Sequence, residues 1–239
     1  MGRIIIINLM FVVLLAGVFA TQYLAQISVI LAISVLALLI LVMMVFGGCI
    51  SAYIKTINNF KPSELKCFFQ NIKAIWKYSI LGGLFYSIIF LMLGFGIKFY
   101  SVNGGIIGLV CVVILCWILI SVLLSSLYYF PVMNRLGSTF PKMIKKCFLI
   151  FLDNPFHTVG IFFVVLINLL LSCTPLIIIT GPGGAFLWLD DNLKLLIYKY
   201  DYMEENPDAG RKIPWRALFV EDNNKIGPRT FRNTIFPWK

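Results

Sequence analysis

Six long apolar runs separated by short polar segments set the pattern of the chain. They lie at about 4–20, 27–54, 78–97, 106–130, 158–179 and 185–200, and most approach the ~20 residues that carry a helix across the hydrocarbon of a bilayer. The pattern predicts an all-α polytopic membrane helical bundle of about six transmembrane helices. Thr21, Gln22 and Gln26 predict the turn between the first two runs, and Gly181-Pro182-Gly183-Gly184 the turn between the last two. The first run follows Arg3 and has small residues at Val18 and Ala20, as a cleaved signal would. Its apolar length reads better as a first transmembrane helix.

Two of the polar segments carry a helical pattern of their own. Across 62–77, Pro62-Ser63-Glu64 reads as a helix start, and Leu65, Phe68, Phe69, Ile72 and Trp76 recur on one face. Across 141–152, Ile144, Phe148 and Phe151 share a side, with Lys142, Lys145 and Lys146 able to reach headgroups. Both predict amphipathic helices lying in the cytoplasmic interface. Lys66-Cys67-Phe68-Phe69 and Lys146-Cys147-Phe148-Leu149 then mark a repeat, each phrase preceding a hairpin of spans, as in a parallel pseudo-symmetric bundle.

Composition agrees. Sixty per cent of residues are hydrophobic, 13% are charged and mean hydropathy is +0.94, more apolar than a wetted surface could cover. The net charge of +10 sits in short segments and in the tail, with no basic face suited to nucleic acid. Lys55, Lys61, Lys66, Lys73 and Lys77 fall in one connecting segment, and Arg135, Lys142, Lys145 and Lys146 in another, while the opposite side has Lys98 alone. By the positive-inside rule both termini are cytoplasmic. Cys49, Cys67, Cys111, Cys116, Cys147 and Cys173 lack the paired spacing of a disulfide framework or a zinc site, and no cofactor or metal is expected.

The segmentation implies a transmembrane domain over 1–202 and a cytoplasmic tail over 203–239. The tail has four prolines and an extended character, yet it is unusually aromatic. Trp215, Phe219, Phe231, Phe236 and Trp238, interspersed with Arg216, Arg229 and Arg232, are expected to dock on a partner or on the chain's own cytoplasmic face. A lipid-surface tail is the competing reading.

Tyr129-Phe130-Pro131-Val132, Asn154-Pro155-Phe156-His157-Thr158 and Gly183-Gly184-Ala185-Phe186-Leu187 resemble, in order and separation, phrases of the YesL-type family of bacterial membrane proteins. The resemblance covers about residues 30 to 202. It implies a membrane protein of unestablished molecular function, commonly encoded beside importers of the ATP-binding cassette type that take up carbohydrates. The chain departs from that pattern in its longer tail and in lacking a proline-containing stretch near the start of the second span.

Polar groups in the last hairpin are the candidates for chemistry. Asp190 and Asp191 lie in the sixth run, where an Asp190–Lys194 pair at i,i+4 would blunt the charge. If that run crosses the bilayer, both carboxylates sit near mid-depth, where they could bind a proton, a cation or a substrate hydroxyl. His157 follows Asp153 at the start of the fifth run. It suggests either a proton relay or a helix start capped by Asp153 or Asn154. No nucleotide-binding, hydrolase or metalloprotease motif is present, so a non-enzymatic role is expected. The leading expectation is an accessory subunit contacting the permease or ATPase of a carbohydrate importer. A small transporter or channel using Asp190, Asp191, Lys194 and His157 is second, and a membrane-assembly factor third.

Overall fold

The computed structural model describes residues 2–60, 65–178, 180–206 and 213–226, and every regular element among them is a helix. This is what hydrocarbon demands, since a helix satisfies its backbone polar groups within the segment. The chain forms two compact units, Met1–Leu193 and Lys194–Lys239.

The first unit contains α1 (Gly2–Ile27), α2 (Val29–Asn58), α3 (Leu65–Asn103), α4 (Gly105–Ser126), α5 (Tyr129–Leu136), α6 (Phe140–Asp153) and α7 (Pro155–Ser172). A 3-10 turn at Pro175–Ile178 then leads into α8 (Gly181–Glu205), within which the second unit begins. Five helices, α1, α2, α3, α4 and α7, are long and apolar enough to cross a membrane. The run expected as a sixth span is not among them. Gly181–Gly184, expected as a turn, form the first turn of α8 instead. Only Ala185 to Leu189 separate them from Asp190 and Asp191, and Lys194 follows.

The breaks between helices have local causes. Helix α1 continues through Thr21, which was expected to turn, because the Thr21 hydroxyl donates to the Val18 carbonyl (2.6 Å) and is satisfied inside the helix. The break comes at Ser28, whose extended backbone (φ −156°, ψ 121°) and hydroxyl cap α2 at the Leu31 amide. The fourth apolar run stops at Ser126 rather than Phe130, since Pro131 cannot donate to the carbonyl four residues earlier. Pro155 likewise separates α6 from α7. The two halves of the expected repeat therefore differ, the basic lead-in being continuous with α3 and broken from α7.

Small residues on α2 and α3 bring these helices together. A Cβ on Gly48 would fall 2.0 Å from Ser79 Oγ, one on Gly83 2.5 Å from the Met44 sulfur, and one on Gly82 2.1 Å from the Tyr129 ring. Gly82 is thus the seat of Tyr129, whose hydroxyl donates to the Tyr78 carbonyl (2.6 Å). A straight antiparallel pair with Ser79 against Gly48 would carry Phe68 about 16 Å past Gly48. Phe68 instead packs edge-on against Phe46 (5.4 Å) and Tyr53 (6.2 Å), which bracket Gly48 on α2. Helix α3 therefore crosses α2 rather than running antiparallel along it, and its first turns join a core of Ile7, Phe46, Cys49, Ile50, Tyr53 and Ile54.

Helix α6 buries Met143, Cys147, Ile150 and Phe151. This face is rotated from the expected Ile144, Phe148 and Phe151, because α6 is set by its packing against α4 and α5. Burial pushes the Cys147 thiol up to about 12.

In the second unit the end of α8 meets α9 (Trp215–Leu218) and α10 (Val220–Ile226). Within the tail that composition predicted as extended, the described residues 213–226 form two short helices. Asp222 accepts from Lys194 (2.6 Å) and from the Tyr198 hydroxyl (3.1 Å).

Replacing Gly82 by Ala is expected to cost about 1–3 kcal/mol through overpacking against Tyr129. Gly94→Ala, where a Cβ meets nothing within 4 Å, should leave the melting temperature unchanged or raised. Thermal unfolding of both variants in detergent checks the pair. Cys147 should resist N-ethylmaleimide at pH 8 in the folded protein and react on denaturation, since only the thiolate attacks and its pKa lies well above that pH.

Candidate functional site

The buried charges of the first unit converge where α2, α5 and α8 meet. Asp190 is completely buried (0% exposed) and the Arg135 side chain nearly so (8%). The guanidinium grips the carboxylate with two donors, Nε to Oδ1 at 2.7 Å and Nη2 to Oδ2 at 2.5 Å. Asn58 Nδ2 adds a third bond to Oδ2 at 2.7 Å, and Arg135 Nη1 reaches Asn59 Oδ1 at 3.4 Å. The Asp190 carboxylate thus accepts three donors, as a buried anion must if it is to remain charged.

The same corner is tied together by backbone acceptors. Lys55 donates to the Asn134 carbonyl, and Asn134 Nδ2 donates to the carbonyls of Gly48 (3.3 Å) and Phe130 (3.0 Å). Arg135 lies in the last turn of α5, where a cation suits the helix dipole, and Gly137, at φ +31°, lets the chain leave. Beside this corner a pocket of about 260 Å³ is lined by Lys55, Thr56, Asn59, Asn71 and Asn134.

A second polar joint starts α8. Asn8 of α1 is fully buried, and its Oδ1 accepts from the Gly183 amide at 2.9 Å. A Cβ on Gly181 would lie 2.5 Å from Asn8, and one on Gly183 2.8 Å. The glycines are needed so that α1 can approach the helix terminus this closely. With its amide turned so that nitrogen faces the two carbonyls, Asn168 of α7 donates to Thr180 (3.0 Å) and Gly181 (3.1 Å). Irregular backbone between apolar helices is tolerated where protein groups satisfy it.

These contacts redistribute the residues singled out in the sequence. Asp190 does not pair with Lys194 within α8. It pairs with Arg135, and Lys194 with Asp222 in the second unit. Asp190 lies beside the C-terminal end of α2. About 14 Å of helix separates it from Gly181, and it meets Asn58, the last residue of α2. Asp191 faces away and is exposed.

His157 is exposed in the first turn of α7. Its neighbour Thr158 is the buried member, sharing its hydroxyl with Tyr128 (2.9 Å) and donating to the Asn154 carbonyl (2.8 Å). Asn154 occupies the N-cap position of α7 without a side-chain cap bond. Its amide donates instead to Asp153 (3.0 Å) and to the Ile150 carbonyl (3.4 Å).

In the tail, Trp215 stacks on Phe219 (6.0 Å) and Tyr198 meets Phe219 edge-on (6.2 Å), so these aromatics engage each other within their own unit. Arg216 is exposed. Phe231, Phe236, Trp238, Arg229 and Arg232 lie outside the described residues, as do Pro62, Ser63 and Glu64.

Arg135 was read in the sequence only as a loop base. One signal distinguishes it, because it is the sole arginine between Arg3 and Arg211 while every other base in that interval is lysine. A planar, bidentate donor suits a buried carboxylate where lysine would not. No group of three or more His, Cys, Asp or Glu able to hold a metal occurs among the described residues. Neither a protein-family model, nor a curated protein, nor a solved structure matches the chain.

Removing one partner leaves a buried charge unpaired, so Asp190→Ala or Arg135→Ala should each cost about 3–5 kcal/mol. The double change Arg135→Met with Asp190→Leu should recover much of that loss. Thermal unfolding of the four proteins decides. Asn8→Ala should cost about 1 kcal/mol by freeing the Gly183 amide.

Proposed function

We propose that the chain is a non-enzymatic integral membrane subunit that works by associating with other components of a multi-subunit membrane complex. The observation that carries this reading is the state of Asp190. The fully buried acid of the first unit is held by three donors and bonded to the end of α2, which leaves it serving as a fastener rather than a carrier of protons or substrate. The spans meanwhile turn long apolar faces outward, with only 11–17% of each apolar window buried within the chain. Such faces suit lipid and neighbouring membrane helices.

The resemblance to the YesL-type family is in keeping with this. Tyr129 fills the Gly82 seat, Thr158 and Asn154 join α6 to α7, and Gly183 receives Asn8. The shared phrases sit at the joints of the scaffold. The reading therefore places the chain beside an ATP-binding cassette importer of carbohydrates in a bacterial inner membrane, with both termini cytoplasmic. Six crossings, the last a return through α8, and interfacial segments at the start of α3 and in α6, keep Lys66, Lys73, Lys77, Lys142, Lys145 and Lys146 on one side. The tail, with Trp215, Arg216 and Phe219, would contact the permease or ATPase.

A small independent transporter is the second reading, favoured by the polar pocket of Lys55, Thr56, Asn59, Asn71 and Asn134. Gentle solubilisation of the full-length chain should bring down permease or ATPase subunits, and a form ending at Asn206 should lose the ATPase. Both forms emerging alone as monomers would end the subunit reading. Saturable flux in liposomes, abolished by Asn71→Leu, would establish the second.

A further inference from the structure

We propose that the cleft beneath the start of α3 binds one acyl chain of an anionic phospholipid, with its headgroup held by Lys73 and Lys77. The cleft has a volume of about 720 Å³ and lies between α1, α2 and α3. Val13, Leu38, Val42, Phe68, Ile72 and Trp76 are among its walls, and no charged side chain among the described residues lines it. Its size falls in the ~300–1,000 Å³ range of small-molecule sites. A lining this uniformly apolar offers nothing to orient a polar solute, and a long hydrocarbon tail is the ligand it matches.

The position of the cleft identifies the tail's headgroup. Val13, Leu38 and Val42 belong to the stretches of α1 and α2 that are apolar enough to cross hydrocarbon. Phe68, Ile72 and Trp76 come from the turns of α3 that cross over α2, so they cover one end of the cleft. Lys66, Lys73 and Lys77 lie on these same turns and are exposed. Lys77 holds its ammonium 5.7 Å from the centroid of the Trp76 ring, beside the wall of the cleft. An aromatic belt residue with a snorkelling lysine marks headgroup level.

Cations and no acid stand there among the described residues of α3, so the complementary headgroup is anionic rather than zwitterionic. The occupant is a lipid of the leaflet the lysines face. The inference is independent of any partner complex, since every residue in it belongs to one chain.

The test uses the full-length protein in nanodiscs with a diazirine-tailed phosphatidylglycerol, and phosphatidylcholine or phosphatidylglycerol as competitor. Labelling should map to cleft residues such as Val42 and Ile72, and phosphatidylglycerol should displace the label better than phosphatidylcholine. Lys73→Gln and Lys77→Gln, both surface changes, should each lower that preference roughly fivefold. Val42→Trp, which fills the cleft, should abolish the labelling while the gel-filtration profile stays unchanged.

Labelling that persists in Val42→Trp, or equal displacement by the two lipids, overturns the proposal. So does a protein-sized adduct from a benzophenone placed at Val42 in native membranes, because a neighbouring helix would then fill the cleft. A lipid-sized adduct there supports it.

Discussion

A guanidinium and a carboxylate removed from water attract each other strongly only if the geometry also replaces the hydrogen bonds that water supplied. Arg135 and Asp190 meet that condition with two parallel donors, and Asn58 takes a further lone pair. Three helices distant in sequence are thereby fixed at one point. The end of α2, the short α5 and the middle of α8 cannot separate without exposing a buried charge to apolar surroundings. Lys55 and Asn134 add bonds between α2 and α5 at the same corner, so register along α2 is set by polar contacts while the bulk of the helices is apolar.

The remaining joints follow the same logic on neutral groups. At the start of α8, where the chain departs from helix, Asn8 and Asn168 from two other elements take over the backbone's hydrogen bonds. Within α3, Tyr129 meets the Tyr78 carbonyl in the space that Gly82 leaves. Asparagine and tyrosine suit this task, since each buries a modest polar group that one or two partners satisfy. The apolar spans between the joints are free of such demands. Their outward faces can therefore vary in what they contact, lipid or protein, without disturbing the frame.

The start of α3 is the point at which this frame addresses the membrane. Phe68 anchors in the core between Phe46 and Tyr53, and the turns that follow put aromatic residues over an apolar cleft with lysines beside them. Were α3 to run antiparallel along α2, Phe68 would project beyond it and the cleft would have no cover. The crossing thus links core packing to whatever the molecule holds in its apolar surface.

Most helices were legible in the sequence because their cause is local: a run of apolar residues in hydrocarbon must close its own hydrogen bonds. The break before α8 lay close to the glycine and proline cluster that marked it, although Gly181–Gly184, expected as the turn, themselves open that helix. Other breaks were less legible, since Thr21 satisfied itself within its helix and Pro131 acted on the preceding turn. The polar site was half legible. Asp190 stood out as a carboxylate in an apolar setting, but its partner lay 55 residues away and resembled an ordinary loop base. Sequence alone determined the helical, membrane-compatible class and the identity of the costly polar residues, because these depend on composition and short-range periodicity. Tertiary structure decided which charge neutralises which, the helix end that Asp190 meets and the face that α6 buries. Those are outcomes of packing between segments whose separation along the chain carries no local signal.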